Sequence, residues 1–232
     1  MIRLVACTTL LLFVPAITDA QRADNAAAAP SARRGGWERI FDGSTLTGWR
    51  GWRQPSGAKG WAVEDGAIAR VGEGGDILFD RELGDFELRL EWKIAPGGNS
   101  GIFWHASETT TYPWEGAPEM QVLDDAGHAD GKLRETSAGA NFGLYAAAAG
   151  AVRPAGEWNA ARLRVRGNRV EHWLNGRRVV AYTLGDDEWK RRVAASKFKD
   201  MPKYGTFARG LIVLQDHGDR VWYRNIELRE FK

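Results

Sequence analysis

The nine residues from 86 to 94, FELRLEWKI, constrain the fold of this 232-residue chain more than any other stretch. Apolar and charged residues alternate without interruption, so an extended strand would place the two kinds of side chain on opposite faces. A helix would scatter them around its axis. The stretch therefore predicts a strand with one face in a hydrophobic core and the other in water. The apolar face consists of Phe86, Leu88, Leu90, Trp92 and Ile94.

The same alternation returns over residues 161–182, interrupted by glycine–asparagine turns at 167–168 and 175–176. Such dipeptides between alternating runs are strong signals for β-hairpins. One helix is predicted, at 186–197, with an aspartate as its N-cap. Many short strands with a single short helix predict an all-β fold, a two-sheet jelly-roll sandwich. The other strands are predicted at 61–71, 76–79, 99–106, 118–124, 140–146, 210–217 and 220–231.

The N-terminus has the pattern of a secretory signal peptide over residues 1–20, with Arg3 followed by an apolar run and small residues before Ala20. The apolar run is too short to span a membrane. Cys7, the single cysteine, lies at the start of that run, which argues against a lipoprotein signal. Cleavage of the signal peptide would remove Cys7, so the mature chain would have no cysteine and could form no disulfide. Residues 21–36 are predicted to be a disordered linker and 37–232 a single domain, secreted or periplasmic.

Charge and composition narrow the class of partner. The formal net charge is +2 and the basic residues are scattered, so no nucleic-acid-binding stripe is visible. The chain has 11 tryptophans, a residue that packs in cores and also stacks on sugars. Either use of the tryptophans is compatible with a β-sandwich.

The stretch PEMQVLDDAGH, residues 118–128, carries the strongest chemical signal. In a strand, Glu119 and Gln121 share one face, while Met120 and Val122 share the other. If the latter pair faces the core, a carboxyl group and an amide lie side by side on an open surface. That arrangement suits proton transfer and contact with sugar hydroxyls, although a solvated strand face is the simpler alternative.

The histidines and acids nearby leave several alternatives open. His217, with Gln215, ends the apolar run 211–214, and it could be a base, a metal ligand or a partner of a turn carbonyl. His128 lies in a turn rich in glycine and aspartate. Asp124 and Asp125 could hold a structural calcium, but they lack regular ligand spacing. The four histidines lie far apart, so no zinc site is predicted.

A set of short motifs follows in order along the chain. The motifs are FDG at 41–43, LTGW at 46–49, GNSGI at 98–102, PEMQVLD at 118–124, GEWN at 156–159, HWLNG at 172–176, SKF at 196–198, LQDHG at 214–218 and RNI at 224–226. This ordered set resembles the 3-keto-disaccharide hydrolase family over about residues 37–231. The resemblance implies a concanavalin-A-like jelly roll. It also implies a secreted enzyme whose substrate is a glycoside already oxidised at C3 by a separate dehydrogenase.

The chemistry implied by this resemblance needs a base, an acid and a group that stabilises charge on the C3 oxygen. The C3 ketone acidifies the C2 hydrogen, so a base can remove it, and the C1 substituent then leaves with help from an acid. Water added across the double bond completes hydrolysis. No dinucleotide-binding loop is readable and no cofactor is predicted, although a divalent ion is compatible with the chemistry. The catalytic candidates are Glu119, His217, Gln121 and His128.

Seven further residues are candidates for substrate binding. Lys197 could stabilise the C3 oxyanion, and Tyr145 and Trp114 could stack on sugar rings. His172 lies in mid-strand, where a core histidine is an equal alternative, and His105 ends a strand. The complete set is Asn99, His105, Gln215, Tyr145, His172, Lys197 and Trp114.

Two other function classes remain possible for such a chain. A lectin-like module would bind glycans without cleaving them, and the same fold hosts both kinds of protein. An ordinary glycosidase would use two carboxyl groups, usually on one strand in this fold. Here the amide of Gln121 stands where the second acid would be, which argues against the glycosidase.

Overall fold

The structure is a computed structural model that describes residues 36–231. The predicted signal peptide, and all but the last residue of the predicted linker, lie outside this range. The described residues form two antiparallel sheets with one α-helix and two short 3-10 turns, which confirms the predicted all-β sandwich. No helix in this range is long and apolar enough to cross a membrane.

Eight strands form the larger sheet and five the smaller. In chain order the elements are β1 (Glu38–Arg39), β2 (Trp49–Gly51), β3 (Trp61–Glu64), β4 (Ala67–Arg70), β5 (Ile77–Leu83), β6 (Phe86–Ile94), β7 (Asn99–Ala106), β8 (Glu119–Leu123), β9 (Asn159–Arg166), β10 (Arg169–Leu174), β11 (Arg177–Thr183), α1 (Asp187–Ala194), β12 (Gly210–Leu214) and β13 (Val221–Glu230). The larger sheet has the order β11-β10-β9-β6-β13-β4-β3, with β1 also paired to β13, and the smaller has the order β2-β5-β12-β7-β8.

Strand β6 has the two faces predicted from its alternation. Its apolar side chains are buried between the sheets. Its two glutamates pair with arginines of neighbouring β13, as in the contact of Glu91 with Arg224 at 2.7 Å. Arg224 also stacks on Trp158, with 3.9 Å from Cζ to the ring centroid. The outer face of the larger sheet is therefore covered by ion pairs and cation–π contacts rather than by a second layer of structure.

Three predicted elements differ from those observed. Residues 61–71 form a hairpin rather than one strand, because Asp65 and Gly66 both have positive φ, at 49° and 75°. The strand predicted at 140–146 is wrong. Positive φ at Gly139 and Gly143, 82° and 70°, bends this segment, which forms only isolated bridges. The helix is shorter than predicted. Asp186 caps it by accepting from the backbone N–H of Trp189.

The outer face of the smaller sheet is divided into an apolar and a polar half. Leu78, Phe103 and Val213 form part of the apolar half, which is covered by Trp52 and Trp114. The polar half carries Glu119 and Gln121 of β8. They pair with Phe103 and Gly101, respectively, in the neighbouring strand β7. Met120 and Val122 point into the core, as the alternation predicted. The polar half is left open, and the candidate site lies there.

Candidate active site

A cleft of about 340 Å³ lies over the polar half of the smaller sheet. It collects side chains from β7, β8 and four loops that are distant in sequence. Seven of the eleven predicted site residues line it, together with two that were not predicted. The lining residues are Asn99, Trp114, Glu119, Gln121, Asp130, Phe142, Lys197, Gln215 and His217.

Glu119 forms the floor of the cleft and is only 7% exposed. Its carboxyl group lies over Gly101, where an added Cβ would come within 2.0 Å of Glu119 Oε1. Burial raises the pKa of Glu119 to about 8, against a smaller opposing effect of Lys197. Asp76 and Asp130 raise this pKa further through their negative charge. At neutral pH the Glu119 carboxyl group is therefore mostly protonated and can donate a proton.

Two buried amides continue from Glu119 across the floor. One end of the Gln121 amide lies 3.0 Å from Glu119 Oε1, and the other end lies 3.2 Å from Asn99 Oδ1. With Nε2 of Gln121 donating to Asn99, its Oε1 accepts from protonated Glu119. In the reverse orientation the Gln121 nitrogen would donate to Glu119 and to the Ser100 carbonyl oxygen. The high pKa of Glu119 favours the first orientation.

Asp130 ends this series of side chains and was missed by sequence reasoning. Asn99 Nδ2 donates to Asp130 Oδ2 at 3.5 Å. A 3-10 turn over Ala129–Lys132 holds Asp130, and its backbone N–H donates to Nδ1 of His128. The only sequence signal was its place in the same polar turn as His128, and nothing there distinguished it from its acidic neighbours.

Those acidic neighbours, Asp124 and Asp125, hold loops in place. Asp124 accepts from the backbone N–H groups of Gly97 and Ala126 at 2.7 and 3.2 Å. Asp125 accepts from that of Ala138 at 2.7 Å. Across residues 36–231, no group of three or more His, Cys, Asp or Glu side chains is arranged to hold a metal ion. The backbone contacts account for these two carboxylates without calcium.

The far wall of the cleft carries positive charge beside an aromatic ring. Lys197, in the loop after α1, places its Nζ 4.1 Å from the ring centroid of Phe142. Burial lowers the pKa of Lys197, while the charges of Glu119 and Asp130 raise it. Phe142 was also missed, because its segment was predicted as a strand. Its position comes from the backbone bond of Phe142 N–H to Glu119 O at 3.1 Å.

Gln215 and His217 close the cleft at the end of β12. The backbone N–H of Gln215 bonds to Gly101 O at 3.0 Å. Its side-chain Oε1 is buried and has no hydrogen-bond partner among the described residues. The His217 ring lies edge-on to that of His128, with 6.2 Å between centroids. His128 therefore supports the cleft from behind without lining it.

Three predicted binding residues lie elsewhere. Both ring nitrogens of His105 face backbone carbonyl oxygens, those of Gly84 at 2.9 Å and Phe207 at 3.0 Å. His172 is fully buried and bonds to Gly139 O, and burial lowers its pKa to about 4. The Tyr145 ring is stacked between Tyr182 and the guanidinium of Arg192. These three residues have local packing contacts and do not line the cleft.

The fold and the cleft together define a class of protein. Jelly-roll sandwiches commonly recognise carbohydrates, and an open cleft on one sheet is suited to a sugar. A carboxyl group that retains its proton at neutral pH adds the capacity for acid catalysis, which binding alone does not need. We therefore place the protein among the carbohydrate-active enzymes with a concanavalin-A-like sandwich.

Comparison with known proteins identifies the family. Residues 36–229 match the model of the 3-keto-alpha-glucoside-1,2-lyase-like domain, and the chain belongs to this family. A 3-keto-disaccharide hydrolase of Bacteroides thetaiotaomicron is 37% identical over 227 residues, which cover 84% of this chain and 78% of that protein. These two matches confirm the resemblance seen in the sequence motifs and support a glycoside-cleaving role.

Solved structures agree. One crystal structure from Parabacteroides distasonis, provisionally described as a glycosyl hydrolase, has a TM-score of 0.79 and 31% identity. It matches 94% of this chain and 99% of its own. A second structure from the same organism, with the same description, has a TM-score of 0.67 and 24% identity, and covers 84% and 99% of the two chains. The second likeness bears on the fold alone.

Proposed function

We propose that the protein cleaves 3-keto-glycosides by removing the C2 proton and eliminating the C1 substituent, with water then added back to complete hydrolysis. The observation that carries this proposal is the buried Glu119, whose raised pKa keeps it protonated at neutral pH. A protonated carboxyl group is what a poor leaving group such as a sugar alkoxide needs. The name of the Bacteroides thetaiotaomicron relative adds support for the substrate class.

In this proposal each lining residue has a distinct task. Glu119 gives its proton to the glycosidic oxygen as the C1–O bond breaks. The Lys197 ammonium, directed into the cleft beside Phe142, stabilises the negative charge that develops on the C3 oxygen. The C2 proton passes to a basic group in the cleft, for which Asp130 and His217 are the candidates. The Gln215 side chain, which lines the cleft, binds a substrate hydroxyl.

We also propose that a separate dehydrogenase forms the C3 ketone before the glycoside reaches this protein. The proposed location is the periplasm or the extracellular space, on the strength of the signal-peptide pattern over residues 1–20.

A second candidate function follows from the presence of two acids in the cleft. Glu119 and Asp130 both line it, so they could act as the carboxyl pair of an ordinary glycoside hydrolase. That mechanism needs no ketone. It would cleave unoxidised glycosides at least as fast as oxidised ones, and this is the observation that separates the two candidates.

The test compares 3-keto-glucosides with unoxidised glucosides as substrates of the purified protein. We expect aglycone release from the oxidised sugars only. We also expect Glu119→Gln to lower kcat by a factor of about 10² to 10⁴, the usual contribution of a general acid. Glu157→Gln, an exposed glutamate outside the cleft, is the matched control and keeps full activity. Cleavage of unoxidised sugars would favour the second candidate. Binding of sugars without any cleavage would instead indicate a lectin-like module.

A further inference from the structure

Glu119 and Asp130 are joined by an unbroken series of hydrogen-bonding side chains. Glu119 Oε1 lies 3.0 Å from the Gln121 amide, Gln121 lies 3.2 Å from Asn99, and Asn99 lies 3.5 Å from Asp130 Oδ2. Both linking amides are almost fully buried, with 1% of Gln121 and 3% of Asn99 exposed. Because water has so little access to these amides, their hydrogen-bonding groups depend on each other and on the two carboxyl groups.

An amide has one donor end and one acceptor end, so the series has a direction. When Asp130 is ionised, Asn99 directs its NH₂ towards Asp130 and its oxygen towards Gln121. Gln121 must then direct its NH₂ towards Asn99 and its oxygen towards Glu119, which satisfies the series only if Glu119 is protonated. Reversing both amides suits the opposite state, with Glu119 ionised and Asp130 protonated. If both acids are ionised, one link in the series is left with two acceptors facing each other. A protonated carboxyl group can still accept through its carbonyl oxygen, so the series disfavours only the doubly ionised state.

The surroundings do not lock the series into one direction. Burial of Glu119 favours the state in which Glu119 is protonated. The Ser100 carbonyl oxygen lies 3.2 Å from the end of the Gln121 amide that faces Glu119. It would accept a hydrogen bond from an NH₂ group at that end, so it favours the state in which Glu119 is ionised. These two influences oppose each other, so they do not select the same direction for the series. Four other titratable groups lie around Glu119. Lys197 favours the ionised form of Glu119 through its positive charge. The ionised forms of Asp76, Tyr204 and Tyr223 would each repel the Glu119 carboxylate.

We propose that Glu119 and Asp130 act as one proton-sharing pair, coupled through the side-chain amides of Gln121 and Asn99, which disfavour the state in which both acids are ionised. The amides are positioning residues in this scheme. They transmit the protonation of one acid to the other without touching the reacting bond. The proposal deepens the proposed function, on which its catalytic meaning rests, by choosing Asp130 rather than His217 as the base.

The pair completes a balanced reaction cycle. In elimination, the C2 proton moves to the Asp130 carboxylate, the C1–O bond breaks, and the leaving oxygen takes the Glu119 proton. The amides reverse. Between the two half-reactions the Asp130 carboxyl proton exchanges with solvent, since 38% of this side chain is exposed. In hydration, water bonds to C1 and gives a proton to the Glu119 carboxylate, while Asp130 gives a proton to C2. One water is consumed, both acids regain their first state, and no oxidant or cofactor is required.

The test is a double-mutant cycle on the pKa of Glu119, measured without substrate by ¹³C NMR of the labelled carboxyl group. Asp130→Asn is made in the native protein and in Gln121→Met, which has a similar shape but cannot link the series. We expect Asp130→Asn to lower the pKa of Glu119 in the native background, and to lower it less than half as much in Gln121→Met. Asp76→Asn is the matched control, because Asp76 acts on Glu119 through charge alone, so its effect should be equal in both backgrounds.

Equal effects of Asp130→Asn in the two backgrounds would overturn the proposal, since simple Coulomb repulsion needs no amide bridge. Asn99→Leu interrupts the same series at its other amide and must reproduce the result, which keeps the test valid if Gln121→Met does not fold. The titration does not depend on catalysis. If the double-mutant cycle shows the expected coupling but the protein does not cleave 3-keto-glucosides, only the proposed function is refuted. Cleavage without coupling would refute the proton-sharing pair alone.

Discussion

Replacing Gly101 with alanine should separate the stability of the fold from the integrity of the site. The new Cβ would lie 2.0 Å from Glu119 Oε1, 2.7 Å from its Cδ and 2.9 Å from its Cγ. Real atoms do not approach so closely, so the Glu119 side chain must leave its place. Because this side chain is flexible and the cleft is open, it can rotate away without moving the sheet.

The expected cost in stability is small and the expected cost in activity is large. Overpacking costs about 1–3 kcal/mol, and about 0.5–1 kcal/mol is regained because alanine restricts the unfolded chain. The net free energy of unfolding should therefore fall by no more than about 2.5 kcal/mol. Displacing the general acid should lower kcat by a factor of about 10² or more. Once Glu119 is more exposed, its pKa should move from about 8 towards its usual value of 4.5.

The assays are urea unfolding, kcat on a 3-keto-glucoside and NMR titration of Glu119. Gly72→Ala is the matched control, because no atom lies within 4 Å of a Cβ at that glycine, and it should change none of the three. A Gly101→Ala protein with normal kcat and a Glu119 pKa still near 8 would refute the reasoning. It would mean that the carboxyl group does not need the space above position 101.

Three further predictions concern the same cleft. The pKa of Glu119 is raised on folding, from 4.5 to about 8. Between these two pH values the folded state keeps a proton on Glu119 that the unfolded state has already lost. The free energy of unfolding should therefore fall as pH rises through this window, by up to about 1.4 kcal/mol per pH unit, and urea unfolding of Glu119→Gln should lose that dependence. Lys197→Met should lower kcat by a factor of about 10² with little change in KM, because its charge acts on the developing oxyanion. Steady-state kinetics measure this effect. If Lys197→Arg, which keeps the positive charge, retains part of the rate, the role is supported, and an unchanged kcat in Lys197→Met would contradict it. Trp114→Ala should raise KM several-fold through lost contact with the sugar. The same change at Tyr112, which stacks on Trp114 at 5.4 Å but does not line the cleft, should have a smaller effect, and the reverse order would contradict the assignment.

The sequence could predict those parts of the site that follow from strand alternation. Glu119 and Gln121 face outward because Met120 and Val122 occupy the core, and period two determines this pattern locally. Asn99 is the first residue of β7 and Gln215 directly follows β12. These two strands pair in the smaller sheet. The pairing of these two strands is a long-range contact, which the sequence alone did not predict.

The missed and misplaced residues depend on backbone turns and tertiary contacts. His105 shares a side with Phe103 in a regular strand, but its φ of 51° turns the backbone and sends the ring towards Gly84 and Phe207. Asp130 reaches the cleft only because a loop folds back onto the start of β7. Phe142 does so because its segment bonds to the backbone of β8. No local pattern encodes these approaches, so a single sequence could not have revealed them.

Deuterium incorporation at C2 tests the central claim most directly. The protein would be allowed to turn over a 3-keto-glucoside in heavy water, and the released 3-keto-sugar would be analysed by mass spectrometry and NMR, with a sample lacking protein to correct for spontaneous exchange. Elimination followed by hydration predicts one solvent deuterium at C2 in each molecule of product, formed at the rate of cleavage. A product that is cleaved at C1 but retains its original C2 hydrogen would contradict the account, because direct displacement at C1 never breaks the C2–H bond.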